Sequence, residues 1–328
     1  MTLNLPQQKT VRILRHSHCF DGFCSAAIFA RFYRDYVDPN ATFRHRGLSH
    51  NDPGPIDSAH FDSDVHAIVD FRYSDHPKLD WWFDHHRSAF PTPEDRAHFH
   101  RHQSTQRQWD PKAPSCAGFI AKKLEETHGF DPRPIASIVH WADIIDAARF
   151  PTPEFVVRPT EPALQLMHAC AHLDDGTLAE QVIAGLAAGD IKAVARLPMI
   201  QELFATLQHN LDESMVWMKT SMERTKVVAF VNYEDRPCTP GLKFAPYLLE
   251  PDMTYAIAMT KGAGFMKLLV GSNPWRPEAR KHDISKICER YGGGGHAVVG
   301  GISLPNASPE DGMKIAREII QTLTESPS

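Results

Sequence analysis

The sequence predicts an α/β protein. It reads as an N-terminal, mostly parallel sheet with flanking helices, then a helical linker, then a smaller C-terminal α/β domain. Two observations carry this. Short apolar, β-branched runs alternate with helical patterns up to His86, the alternation that builds parallel sheets. Strand-like runs then return after residue 226, beyond a long helical stretch.

Taken in order, Val11 to Arg15 reads as a buried strand ending at His16, and Gly22 to Tyr36 as a helix opened by a glycine. Ala41 to His45 suits a second strand. His66 to Phe71 (HAIVDF) is a third, and Leu79 to Phe83 a fourth that ends on Asp84-His85-His86. Arg87 to Pro114 is polar and Pro- and His-rich without a period, so it reads as a long surface insertion. His98, His100 and His102 alternate there, which on an extended strand would put them on one face. From Ser115 to about Ala188 the pattern is helical. Ile191 to Lys226 reads as one or two long helices, interrupted at Pro198. Val227 to Tyr233, Tyr255 to Thr260, Phe265 to Val270 and Gly301 to Leu304 suit strands, with helices at Ile284 to Tyr291 and Pro309 to Leu323. The expected domains are therefore 1–190 and 227–328, joined by 191–226.

Composition narrows the function classes. The chain has 328 residues, 42% hydrophobic and 23% charged, close to the soluble globular average. Six cysteines, including Cys238, form no CxxC pair, which suits reduced thiols in a cytoplasm better than a disulfide framework or zinc ribbon. The N-terminal stretch shows no apolar signal region, and no apolar run is long enough for a membrane helix. A net charge of −5 disfavours an extended duplex-DNA footprint. Histidine, at nineteen residues, is over-represented.

The positions of polar residues matter more than their number. Open α/β sheets bind ligands at the carboxyl ends of their strands. At those ends stand His16, His18 and Asp21, then Asp70, then Asp84, His85 and His86, with Asp143 and Asp146 on a following helix. One strand-end Asp is ordinarily a turn or cap residue. Several carboxylate and imidazole clusters on one sheet edge instead suit a pair of divalent cations, which clamp a phosphoryl group and activate water. The run Gly292-Gly293-Gly294-Gly295-His296 is a second signal. Consecutive glycines let backbone N–H groups approach an anion, or they form a plain turn.

In order along the chain, His16-Ser-His18-Cys19-Phe-Asp21-Gly22, the strand-end Asp70, Asp84-His85-His86, the Ala-Asp143 helix and Gly293-Gly294-Gly295-His296 resemble the DHH phosphoesterase superfamily with its associated C-terminal domain. The resemblance covers nearly the whole chain. It implies a Mn²⁺-dependent hydrolase of phosphoester or phosphoanhydride bonds with two ions, Zn, Fe, Co or Mg being alternatives. His16, Asp21, Asp70, His85 and Asp143 would be ligands, Asp70 bridging both ions, and Asp146 is the alternative to Asp143. Asp84 would orient its neighbours, and His86 would face the substrate phosphate. Gly294, Gly295 and His296 would hold the far end of the substrate in an interdomain cleft, with Ser272 and Arg276 as further contacts.

The first loop departs from the family pattern of two Asp residues, since only Asp21 remains. Cys19 or His18 can take the place of the missing carboxylate, a thiolate favouring softer metals. Alternatively the first position is weak or empty. The expected substrates are small nucleotides or short single-stranded oligonucleotides. The competing readings are an exopolyphosphatase or pyrophosphatase-like hydrolase and a non-catalytic nucleotide sensor. Neither a membrane nor duplex DNA is expected as a partner, and a homodimer is compatible with the resemblance.

Overall fold

The computed structural model describes residues 8–49, 54–234, 236, 240–262 and 264–325. Cys238 and the N-terminal stretch before residue 8 lie outside the described residues. By contact the chain forms two compact units, 1–148 with 169–201, and 149–168 with 202–328.

The first unit is built on a five-stranded sheet, all parallel, in the order β2-β1-β3-β4-β5. Strand β1 (Thr10–His16) is followed by helix α1 (Phe20–Phe32), then β2 (Thr42–Leu48), β3 (Val65–Val69) and β4 (Trp81–Asp84). Strands β1, β3 and β4 are the buried ones, as their continuous apolar runs require of a sheet covered on both faces. Helix α1 is buried along nearly its whole length. Its Phe29 and Phe32 meet Trp81 of β4 edge-on at 5.5 and 5.6 Å between ring centroids. Leu14, Ile68, Trp82, Phe71, Tyr73 and Phe99 belong to another apolar cluster of this unit.

Residues 87–114 are not an unstructured insertion. They contain helix α2 (Pro93–His102) and strand β5 (Arg107–Trp109), which pairs with β4. Thr92 and Asp95 form a capping box with Pro93 at the first helical position, so the start signal was present. The histidine reading changes with it. On a helix His98 and His102 share a face, their rings stacked 4.1 Å apart, while His100 lies off that face. Helices α3 (Cys116–His128) and α4 (Ala136–Asp146) pack on α1.

Helix α5 (Pro153–Val157) belongs to the second unit, although residues up to 190 were expected in the first. Phe150 explains the grouping. Its carbonyl accepts from Trp275 Nε1 at 2.8 Å, and its ring meets Phe244 at 5.4 Å. Helix α6 (Pro162–Cys170) leads to α7 (Thr177–Ala187), α8 (Ile191–Ala195) and α9 (Pro198–Ser221), the break between the last two falling just before Pro198.

The second unit holds a six-stranded sheet. Its strands are β6 (Glu223–Arg224), β7 (Val228–Asn232), β8 (Tyr255–Gly262), β9 (Phe265–Ser272), β10 (Gly294–His296) and β11 (Val299–Pro305), in the order β10-β11-β9-β8-β7-β6. Only β7 and β8 run parallel. Helices α10 (Ala245–Leu249), α11 (Ile284–Glu289) and α12 (Pro309–Thr324) complete it. The last two glycines of the run and His296 form the edge strand β10 rather than a loop. Gly295 lies opposite Gly300 at φ 141, and a Cβ there would run into the Val299 carbonyl oxygen. Gly293 and Gly295 serve close chain approach. Among the described residues no helix is long and apolar enough to cross a membrane.

Candidate metal centre

The site is assembled from the carboxyl ends of the parallel strands. Chain entry from β1 into α1 is fixed at Gly22, where any Cβ would run into the His16 carbonyl oxygen. This pins Asp21 into the first turn of α1 with a side chain only 1% exposed. The Asp21 carboxylate accepts from the backbone N–H groups of Cys116 and Ala117 at 2.6 and 2.9 Å. Those are the first amides of α3, a favourable place for a negative charge. Even so, burial, with Asp146 adding to it, pushes the Asp21 carboxyl up to about 6, against His85 and the two amides.

Asp70 follows β3 in the left-handed region at φ 57, its N–H bonded to the Phe83 carbonyl at 2.9 Å. An Asp held there is uncommon, and such strain concentrates at functional sites. The side chain is 1% exposed, and among the described residues no N–H donates to either carboxylate oxygen. Burial, then Asp21, Asp146 and Asp84, drives its carboxyl well above the usual range.

Asp84, wholly buried at the end of β4, organises the two residues after it. Its Oδ1 accepts from the backbone of His85 and His86 at 2.8 and 3.2 Å, and from His86 Nδ1 at 2.7 Å. Burial opposes charge on His86, but the Asp84 carboxylate and its hydrogen bond, with Asp146 and Asp21, lift the imidazole to about 9. His85 Nδ1 lies 3.0 Å from the Ala113 carbonyl, an acceptor only, so Nδ1 carries the proton. Its Nε2 then faces Asp146, Asp70 and Asp21 at 3.3, 3.6 and 3.7 Å. An imidazole fixed through one nitrogen by a carbonyl is the usual arrangement of a metal-binding histidine.

Three groups of ligand atoms, each within 4.8 Å, result: His16-Cys19-Asp70, Asp70-His85-His86 and Asp21-His85-Asp146. They share Asp70 and His85, so they form one chain of donors, Asp70 linking the first group to the second and His85 the second to the third. Two buried carboxylates, Asp21 and Asp70, with the exposed Asp146 beside them, need positive charge among them. The donor set fits two divalent cations of mixed oxygen and nitrogen preference.

The expected residues sort as follows. His16, Cys19, Asp21, Asp70, His85 and His86 come together, with Asp84 behind them. Asp143 joins none of the three groups; Asp146 takes the place expected of it. The two are one helical turn apart on α4, and Ser115 Oγ donates to Asp143 Oδ1 at 2.6 Å. Ser115 also caps α3 through Gly118 N–H, so Asp143 holds the start of that helix. His18, at φ 54 and half exposed, lies 3.9 Å from Asp174 and outside the groups. In the second unit Ser272 Oγ donates to the Val298 carbonyl at 3.0 Å, and Arg276 is engaged by the Asp252 carbonyl and carboxylate at 2.7 and 3.0 Å. Gly294, Gly295 and His296 form β10. Sequence reasoning did not anticipate Asp175, which accepts from buried Arg15 at 2.9 Å and from Gly47 N–H at 2.9 and 3.0 Å, tying β1 to β2. The arginine inside an otherwise apolar strand was its available signal.

No family model matches the chain, and no curated protein sequence matches it. Solved structures do. The chain is similar to a pGpG-specific phosphodiesterase from Vibrio cholerae, at 16% identity and TM-score 0.63, over 96% of this chain and 99% of that one. An exopolyphosphatase-related protein from Bacteroides fragilis superposes at 13% identity and TM-score 0.52, over 97% and 94%. Exonuclease RecJ bound to manganese gives 16% and 0.55, over 98% and 92%. The chain thus shares the fold of these three proteins.

Proposed function

We propose that this chain is a metal-dependent phosphoesterase acting on phosphodiester or phosphomonoester bonds of small nucleotides or short oligonucleotides. One observation carries the reading: Asp70, buried, belongs to two of the three sets of ligand atoms and through His85 adjoins the third. Two divalent cations, when bound, would supply charge neutralisation on the transferring phosphoryl group and activation of the attacking water. The protein's own contribution is placement. Asp70 would bridge the two positions, and Asp21, His85 and Asp146 would hold one of them. His86, kept protonated by Asp84, donates to a phosphate oxygen as negative charge grows on it. The fold neighbours support this class, since they include a phosphodiesterase and an exonuclease.

An exopolyphosphatase-like activity would use the same residues, and one neighbour is described as exopolyphosphatase-related. A panel decides between them: pGpG, a short oligoribonucleotide, 3′-phosphoadenosine 5′-phosphate, cyclic di-AMP, polyphosphate and a chromogenic phosphodiester, each with Mn²⁺ and with chelator. Chelator-sensitive turnover of a nucleotide is expected. Polyphosphate turnover alone would replace the nucleotide reading. Silence across the panel in protein that holds two metals would overturn it in favour of a nucleotide sensor.

A further inference from the structure

Of the two cation positions, the one nearer β1 is unusual in its donors. His16, Cys19 and Asp70 each place a ligand atom within 4.8 Å of the others, and His16 Nδ1 lies 3.5 Å from Asp70 Oδ2. The position therefore has one nitrogen, one sulfur and one oxygen, where the other has two carboxylates and an imidazole. Cys19 is the residue preceding α1, yet its side chain makes no capping hydrogen bond there. Asp70, 1% exposed, supplies the independent observation, because among the described residues neither of its oxygens receives an N–H hydrogen bond.

The other candidate for this role, His18, is directed elsewhere. It takes the left-handed conformation within the turn, is 47% exposed in its side chain, and lies near Asp174. The turn itself is held from both sides. The Arg15–Asp175 pair and Gly47 N–H anchor its β1 end, and the glycine contact at His16 anchors its α1 end.

We propose that Cys19 is a thiolate ligand of the first cation, and that it makes this position select Zn²⁺, Fe²⁺ or Co²⁺ over Mn²⁺. Binding forms a metal–sulfur bond and releases the thiol proton to solvent, with no change of oxidation state. Sulfur is the softest donor in the set, and soft donors favour those metals. The inference rests on the two-cation reading above but concerns one ligand of one position.

The test uses Co²⁺, whose thiolate complexes show charge-transfer absorption in the near ultraviolet. Chelator-treated full-length protein is titrated with Co²⁺ while bound metal is counted. The expected result is such a band in the wild type, its loss in C19S, and its loss in C19D with two cobalt ions retained. In competition, C19D should move the Zn²⁺-to-Mn²⁺ preference toward Mn²⁺ by about tenfold or more. Circular dichroism identifies a C19S protein that fails to fold, and C19D then carries the comparison. Two cobalt ions bound without a band would overturn the thiolate and leave the phosphoesterase reading standing. A band that persists in folded C19S or C19D would assign another cysteine and overturn it equally. No cobalt bound at all would overturn both.

Discussion

Asp84 Oδ1 and His86 Nδ1 lie 2.7 Å apart, inside a site where Asp84 is fully buried. The same oxygen accepts the backbone N–H groups of His85 and His86. A single carboxylate thereby sets the charge of one histidine and the backbone course of both. Asp84 is a positioning residue, and the buried donors explain why burial does not neutralise it. Its carboxyl stays below the usual range, burial being outweighed by His86, His85 and those hydrogen bonds.

Asp84→Asn keeps an acceptor but removes the charge, so the His86 pKa should fall from about 9 toward its ordinary value. The alkaline limb of the activity profile should move to lower pH. In metal-free protein the linkage has a defined sign. His86 is raised in the folded state, so the pair's stabilisation is complete below about pH 6.5 and is lost as pH rises through about 9. Thermal melts of both proteins across that window check it, and parallel curves would count against the pair.

Metal binding should weaken as the site is acidified. The Asp21 carboxyl is pushed up to about 6, so below that pH a cation competes with a proton. For metal-free protein the raised native pKa means the folded state binds more protons than the unfolded chain between about pH 4 and 6. Its stability should therefore fall as pH rises through that range. Added Mn²⁺ should raise the melting temperature more at pH 8 than at pH 5.

Asp143 and Asp146 separate ligation from support. Asp146→Ala should lower metal stoichiometry and abolish turnover while the chain stays folded. Asp143→Ala should keep the metals and lose about 1.5 kcal/mol of stability with the Ser115 bond. Metal counting and denaturant melts of the two variants give opposite patterns if the assignment holds.

Asp70→Asn should abolish metal-dependent turnover, because an amide cannot bridge two cations as a carboxylate does. At alkaline pH, where the Asp70 carboxyl is forced to ionise, the metal-free variant should be more stable than the wild type, since one buried charge is gone. A variant with full turnover would remove the basis of the functional reading.

Gly295→Ala tests the second unit. At φ 141, with the Val299 carbonyl in the way, it should cost about 2 kcal/mol or more. A stable variant would mean the run is retained for ligand approach.

The sequence by itself determined the strand–helix alternation and most of the residues at the site. Apolar runs such as HAIVDF announce buried strands, and a parallel sheet brings their carboxyl ends to one edge. That is why Asp21, Asp70, His85 and His86 could be picked out along the chain. Local pattern did not decide between Asp143 and Asp146, which sit one turn apart on α4. Only the packing of α4 shows that one meets Ser115 and the other His85. Nor did it decide between His18 and Cys19, because the left-handed turn at His18 depends on contacts at both ends of the loop. Gly294 to His296 became a strand because β11 lies beside it, paired at Gly301, Gly300 and Val299. Periodicity reports which face a residue occupies, but the neighbour it meets there is set by chain segments it never touches in sequence.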